Sequence, residues 1–312
     1  MKIIKRIVIS LGSVLILLMA VYFFFPGFVL STSTKIARFS AGTTRNEIMV
    51  GKHNWVYLDG GKGETVILIH GFGLSKDLWG DMLPLMSKSY RIIAPDMPCF
   101  GETLPVEGEH YTVSNQAQRL SDFISALKLE SFHIVGVSMG GAISAVYASQ
   151  HPDKVKSLTL IGPFGVESKI KSDFQKAYQK GDNPLVFKTT EGFDETVAYG
   201  SNKPEKVPDH LKSFITAAVA TRYDFNKKTF KEQIDSEGWD MLRKYLKKID
   251  SPSLVIFGDK DRIFDVSCIE IFSKEIRNVK PAVIKDAGHL TYLDKPVETV
   301  KYVKDFITAY KK

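Results

Sequence analysis

The sequence predicts an α/β fold: a mostly parallel sheet flanked by helices, interrupted by a helical cap insertion and preceded by one transmembrane helix. Three patterns carry this reading. From about residue 46, short β-rich runs alternate with longer helical ones, as βαβ units require. The stretch from Glu167 to about Ile249 has no good strand and reads as several short helices rich in Lys, Asp, Glu and aromatics. The N-terminal segment from Ile7 to Thr34 carries no charged residue, and Ile7 to Phe25 is almost wholly aliphatic or aromatic.

That apolar run is long enough to cross a hydrocarbon core of about 30 Å at about 1.5 Å per helical residue. A cleaved signal peptide has a shorter apolar centre and a small-residue exit, which Ser31-Thr32-Ser33 imitates only fairly, so residues 1–34 are expected to be an uncleaved signal-anchor. Lys2, Lys5 and Arg6 on one flank nearly balance Lys35, Arg38 and Arg45 on the other, which weakens the charge bias that orients such helices. A membrane-anchored body is expected on either side; in a bacterium it would be a periplasmic body on the inner membrane, secreted if the segment were cleaved.

The strands read as continuous apolar runs, the signature of strands covered on both faces: Thr65 to His70, Tyr90 to Pro95, Phe132 to Ser138, Val155 to Ile161, Ser253 to Gly258 and Ala282 to Asp286. Between and after them, Ala117, Leu120, Phe123, Ile124 and Leu127 recur at helical spacing, as do Val297, Val300, Val303, Phe306, Ile307 and Tyr310. Breakers at Gly181 to Pro184, Gly200 to Pro208 and Gly238 cut the insertion into pieces. The expected organisation is therefore 35–163 for the first part of the core, 164–250 for the helical cap and 251–312 for the second part of the core.

Composition narrows the function classes. With 44% hydrophobic and 25% charged residues the chain is neither disordered nor fibrous. The net charge of +7 falls to +4 (7 − 3) without Lys2, Lys5 and Arg6, and the basic residues lie scattered among acids, so no nucleic-acid partner is expected. Two cysteines, Cys99 and Cys268, stand in unrelated contexts, which excludes a disulfide framework and a CxxC site. No HExxH and no GxGxxG at a strand-to-helix step is present, so neither a metal nor an organic cofactor is signalled.

The sharpest motif is Gly136-Val137-Ser138-Met139-Gly140-Gly141, a G-x-S-x-G between the strand FHIVGV and a helix-forming stretch. A sharp turn there pushes the serine oxygen out, and flanking glycines remove Cβ atoms that would clash. A serine hydroxyl is a poor nucleophile alone and needs a histidine base held by a carboxylate. Asp261 follows one late strand in GDKDRI, and His289 follows the next in AGH, giving the order Ser, Asp, His. Asp261 is preferred because it lies just beyond the strand end; Asp259 reads as a turn residue, Asp265 as a helix cap and Asp286 as a strand end. Among the other histidines, His53, His110, His151 and His210 lie in surface-like sequence and His133 opens a strand. Asp96 in APDMP reads as a turn residue, and Cys99 as a wall residue beside the site with no basic partner to activate it.

The stretches LIHGFGLSKDLW, PDMPCFGET, HIVGVSMGGAISAVYASQHPDKVKSLTLIGP, FGDKDRIFDVS and AGHLTYLDKP resemble the α/β-hydrolase family over nearly the whole body, the cap excepted. Within it the chain is most similar to the membrane-anchored monoacylglycerol lipases and related bacterial lipases. The resemblance implies the α/β-hydrolase fold with an eight-stranded sheet, Ser138, Asp261 and His289 as catalytic triad, and the backbone N–H groups of Phe72 and Met139 as oxyanion donors. His70 then ties the donor loop. The implied chemistry is ester hydrolysis through an acyl-enzyme on a lipid or other small-molecule ester, with an acyl pocket from among Phe164, Phe174, Phe187, Phe193, Phe214 and Phe225. The same triad also serves carbon–carbon bond hydrolases and small-ester esterases, whereas a non-catalytic membrane-tethered binding module is expected to have lost a triad member. Relatives usually carry glycine where this chain has Cys99, which puts the shape of that part of the pocket in question.

Overall fold

A computed structural model describes residues 2–310. The chain opens with α1 (Lys2–Phe24), whose stretch Ile4–Phe24 is long and apolar enough to cross a membrane and has none of its described residues buried. A second helix, α2 (Pro26–Ser40), follows directly. It starts where proline is best tolerated, at the first helical position. This helix was not expected from sequence, because its first half continues the uncharged run of the anchor.

The body is built on β1 (Thr43–Val50), β2 (His53–Gly61), β3 (Thr65–Ile69), β4 (Arg91–Pro95), β5 (Phe132–Val137), β6 (Val155–Ile161), β7 (Ser253–Gly258) and β8 (Val279–Ile284). They form one eight-stranded sheet in the order β1-β2-β4-β3-β5-β6-β7-β8, in which β1–β2 and β2–β4 pair antiparallel and the other five pairs are parallel. The opening antiparallel strands were not singled out by the sequence, and the last strand runs earlier than the expected 282–286. Successive side chains of β3 feed opposite cores: Ile67 and Ile69 join one apolar cluster, Val66 and Leu68 the other. The first core packs under α4 (Val113–Ala126) and α5 (Met139–Gln150), the second under α3 (Met82–Ser87) and α13 (Pro296–Ala309).

Between β6 and β7 lie α6 (Asp173–Gln179), α7 (Thr190–Gly200), α8 (Asp209–Ala220), α9 (Tyr223–Glu237) and α10 (Arg243–Leu246), with no strand among them. The insertion is pinned to the core by charge. Glu237 at the end of α9 accepts the backbone N–H groups of Val113 (2.7 Å) and Ser114 (2.9 Å), orphan donors in the first turn of α4. Glu232 pairs with His110, and the Arg222 guanidinium donates to the Cys99 carbonyl at 2.5 Å. On its other side α8 packs against α2, where a Cβ on Gly27 would lie 2.8 Å from the Phe214 ring. His210 of α8 sits against the rings of Tyr22 and Phe23.

Candidate active site

Ser138 occupies the single residue between β5 and α5, with φ +54° and ψ −121°. A non-glycine residue in this region carries strain on the order of 1–3 kcal/mol, held only because the surroundings over-determine it. They do so here. The Ser138 N–H donates to the Ile161 carbonyl (2.9 Å), and the Ser138 carbonyl accepts from Ala142 and Phe164 (both 3.1 Å). The glycines answer to distance: a Cβ on Gly136 would stand 2.3 Å from the Gly140 carbonyl oxygen, and one on Gly140 would stand 2.2 Å from that of Ile69.

The loop after β3 lies over the serine, since a Cβ on Gly71 would be 3.1 Å from the Ser138 Cβ. His70 fixes that loop. Its Nε2 accepts the Met97 backbone N–H (3.0 Å), so Nδ1 carries the proton and donates to the Gly71 carbonyl (2.8 Å). Burial pushes the His70 pKa down, which keeps the ring neutral as this pattern requires. The next residue is Phe72, whose backbone N–H was expected, with that of Met139 at the start of α5, to face the substrate oxyanion.

Asp261 and His289 meet from the loops after β7 and β8. The Asp261 Oδ2 stands 2.9 Å from His289 Nδ1, and the two side chains are 0% and 3% exposed. Asp261 Oδ1 is held separately by the N–H groups of Ile263 (2.8 Å) and Phe264 (3.0 Å). The carboxylate thus orients the ring from a fixed seat, and among the described residues the buried His289 Nε2 has no hydrogen-bond partner. The pair is led to the elbow by Gly162, the residue after β6, where a Cβ would lie 2.9 Å from His289 Nδ1 and 3.2 Å from Asp261 Oδ2. The rival acids go elsewhere: Asp259 pairs with Lys260, and Asp265 caps the N–H of Ser267.

Ser138 and Met139 face a tight pocket of ≈ 20 Å³ walled by aromatic rings. Of the six phenylalanines expected there, Phe164 and Phe174 line it; Phe187 packs on Phe193, Phe214 on Gly27, and Phe225 on Tyr111. Sequence reasoning missed Phe230, Trp239 and Phe264, which come from α9, the turn after it and the loop after Asp261. It also missed Gln233, a buried amide in this wall.

Two further expectations are refined. Cys99 is buried in the core and lines no part of the pocket; it adopts φ +73°, the backbone of a glycine, and burial pushes its thiol pKa up. Asp96 is more than a turn residue. Fully buried, it accepts the Lys76 backbone N–H (2.7 Å), the Lys76 ammonium (2.8 Å) and the Glu102 N–H (2.8 Å), and Gly101 is bare because a Cβ would meet its carboxyl carbon at 2.2 Å. His53, expected at the surface, is buried against Tyr111.

A strand–serine–helix elbow, an acid–histidine pair from the last two loops and a mostly parallel eight-stranded sheet define an α/β hydrolase, and the alpha/beta hydrolase fold family matches residues 64–296. The chain belongs to this family. It is 29% identical over 271 residues to monoacylglycerol lipase abhd6-B of Xenopus laevis, covering 83% of this chain and 80% of that protein. It is also 29% identical to lipase 1 of Psychrobacter immobilis, covering 88% and 89% respectively. The crystal structure of a membrane phospholipase A, described as a novel bacterial virulence factor, superposes with a TM-score of 0.88 at 31% identity over 98% of this chain and 99% of that one.

Proposed function

We propose that the chain is a serine hydrolase of lipid-like carboxylic esters, monoacylglycerols first, working through Ser138, His289 and Asp261. The ester-hydrolase class draws support from relatives named as lipases and monoacylglycerol lipases. The observations that support the reading are the sealed Asp261–His289 pair, whose second ring nitrogen has no partner among the described residues, and a strained serine lining an aromatic pocket.

In this mechanism Ser138 Oγ attacks the ester carbonyl while His289 Nε2 takes its proton. Asp261, already fixed by two backbone N–H groups, keeps the Nδ1–H tautomer and stabilises the imidazolium. Negative charge on the carbonyl oxygen is met by the N–H groups of Phe72 and Met139, each such donor being worth about a hundred- to a thousandfold in rate. His289 returns the proton to the leaving alcohol, and water then clears the acyl-enzyme by the same steps. The aromatic lining faces the acyl group, and α1 keeps the body at the membrane, where such esters partition.

The test is hydrolysis of acyl esters from acetate to palmitate, and of a 1-monoacylglycerol, by the full chain in detergent beside Ser138→Ala. Activity that rises toward medium or long chains and vanishes in the variant is the expected result. Equal inertness of both proteins across the series would reject ester hydrolysis.

A further inference from the structure

We infer that Gln233 of α9 reads a hydroxyl on the substrate close to the ester bond, an inference that rests on the ester-hydrolase reading above. Gln233 is 3% exposed and lies in the wall of the pocket that holds Ser138. Its Nε2 donates to the Tyr111 carbonyl at 2.9 Å and to the Met139 sulfur at 3.3 Å. A carbonyl oxygen is only an acceptor, so the amide nitrogen must face Tyr111; both of its hydrogens are then used and the amide cannot turn over. The orientation of Oε1 is thereby fixed as well.

Among the described residues nothing donates to that oxygen, yet it is not among the sealed polar atoms left without a partner. In a side chain this deeply buried, the opening available to it is the pocket. Apart from Gln233, Ser138 and the indole N–H of Trp239, the lining consists of aromatic and aliphatic groups and the Met139 thioether. An acceptor placed among such groups can be served by water when the site is free. A ligand that displaces the water must bring its own donor or forfeit the hydrogen bond.

The chemistry of that donor follows from the surroundings. Gln233 is neutral, which suits an uncharged O–H, whereas a cationic amine would call for a carboxylate. Gln233 also touches the side chain of Met139, whose own N–H is the proposed oxyanion donor, so the hydroxyl belongs within a few bonds of the ester carbonyl. A 1-monoacylglycerol has one on the carbon beside its ester-bearing carbon, and a 3-hydroxyacyl ester has one on the acyl side.

The experiment measures kcat/KM of the full chain in detergent on two matched pairs, glyceryl monobutyrate against propyl butyrate and ethyl 3-hydroxybutyrate against ethyl butyrate. Wild type is compared with Gln233→Met, which keeps length and packing. The expected result is a preference of at least about tenfold for the hydroxylated member of one pair in wild type, the scale of one lost hydrogen bond. In the variant that preference collapses, the hydroxylated ester losing more than its plain partner. The responding pair tells whether the hydroxyl sits on the alcohol or the acyl side. Absence of preference in wild type, which needs no variant to fold, overturns the proposal, as does a preference that survives in Gln233→Met. An equal loss on both members of a pair marks Gln233 as a tie between cap and core and also overturns it. Wild type inert on all four esters overturns the ester-hydrolase reading itself.

Discussion

Gly140→Ala should separate the two halves of the proposed oxyanion site by a measurable distance. A Cβ built on Gly140 falls 2.2 Å from the Ile69 carbonyl oxygen and 2.4 Å from that of His70. Both are backbone atoms at the end of β3 and cannot swing aside as a side-chain tip would. Since real Cβ contacts do not go below 3.0 Å, the elbow and the β3 loop must part by at least 0.8 Å (3.0 − 2.2). The Met139 N–H rides on the elbow and the Phe72 N–H on the loop, so the parting falls between the two proposed donors. Misplacement of about 1 Å at a reacting centre can cost on the order of a hundredfold, and so can loss of one such donor. Overpacking of this kind also costs about 1–3 kcal/mol of stability. The control is Gly181→Ala, at φ +89° with no atom within 4 Å, where only the left-handed penalty of about 1–2 kcal/mol applies. Hydrolysis of a soluble p-nitrophenyl ester is measured for both variants, with thermal midpoints and active-site titration to count folded enzyme. Gly140→Ala is expected to lose about a hundredfold in kcat/KM per titrated site, and Gly181→Ala to keep full activity. Retention of near wild-type kcat/KM by Gly140→Ala would refute the reasoning.

Asp261→Asn should leave the fold intact and lower kcat by about 10³–10⁴, because an amide offers His289 the wrong tautomer; a loss below about tenfold would remove Asp261 from the site. Asp96→Asn keeps an acceptor for a backbone N–H but removes charge beside the buried Lys76 ammonium, and should cost about 3 kcal/mol, at the low end because Glu102 and Asp77 remain within 3.2 Å. Lys76→Met in the same chain should recover at least half of that loss in chemical denaturation, and no recovery would show that the pair is not the source. Stability should also fall in acid in two steps. Burial holds His70 neutral, so below pH 6.5 the unfolded chain takes up a proton that the folded chain refuses, and stability drops. Burial alone would raise the Glu102 carboxyl, but hydrogen bonds from Lys76 and Arg45 outweigh it and hold the pKa at about 2, so its contribution is lost as pH falls from 4.5 toward 2. A denaturation midpoint unchanged between pH 7 and pH 3 would contradict both.

What could be read before the structure was whatever leaves a local mark. Parallel strands buried on both faces leave continuous apolar runs, which is why β3 through β7 were legible. The elbow was legible because steric demand at the nearest neighbours writes glycine into positions 136 and 140. Asp261 and His289 were legible because they sit just past strand ends, where α/β folds place their chemistry. The rest depends on partners distant in the chain. β1 and β2 pair with each other at the edge, and β1 exposes much of its length, so charged residues interrupt its pattern. Phe187 and Phe230 look alike in sequence; only the packing of the cap decides that Phe230 faces the pocket while Phe187 meets Phe193. The buried Lys76–Asp96 pair is formed across 20 residues, and nothing beside either residue announces it.

The same distance argument bears on the N-terminal segment. If α1 and α2 were only a tether, their polar residues would face solvent. Instead Arg38, in the last turn of α2, makes a two-pronged pair with Asp77, both bonds at 2.7 Å, and reaches Glu102 at 3.3 Å. Asp77 follows the Lys76 that Asp96 holds in the interior, and Lys76 lies four residues beyond Phe72 on the same loop. Bidentate Arg–carboxylate geometry is the kind that fixes orientation, whereas a single exposed pair contributes little. Arg45 at the start of the sheet donates to Glu102 as well, so three cations from separate parts of the chain converge on one carboxylate. The N-terminal end of α2 rests on helix α8 through Gly27 and Phe214. The helix that follows the apolar anchor therefore touches α8 at one end and the loop that carries the proposed oxyanion donor at the other. These contacts tie α2 to the hydrolase body through both α8 and the loop after β3.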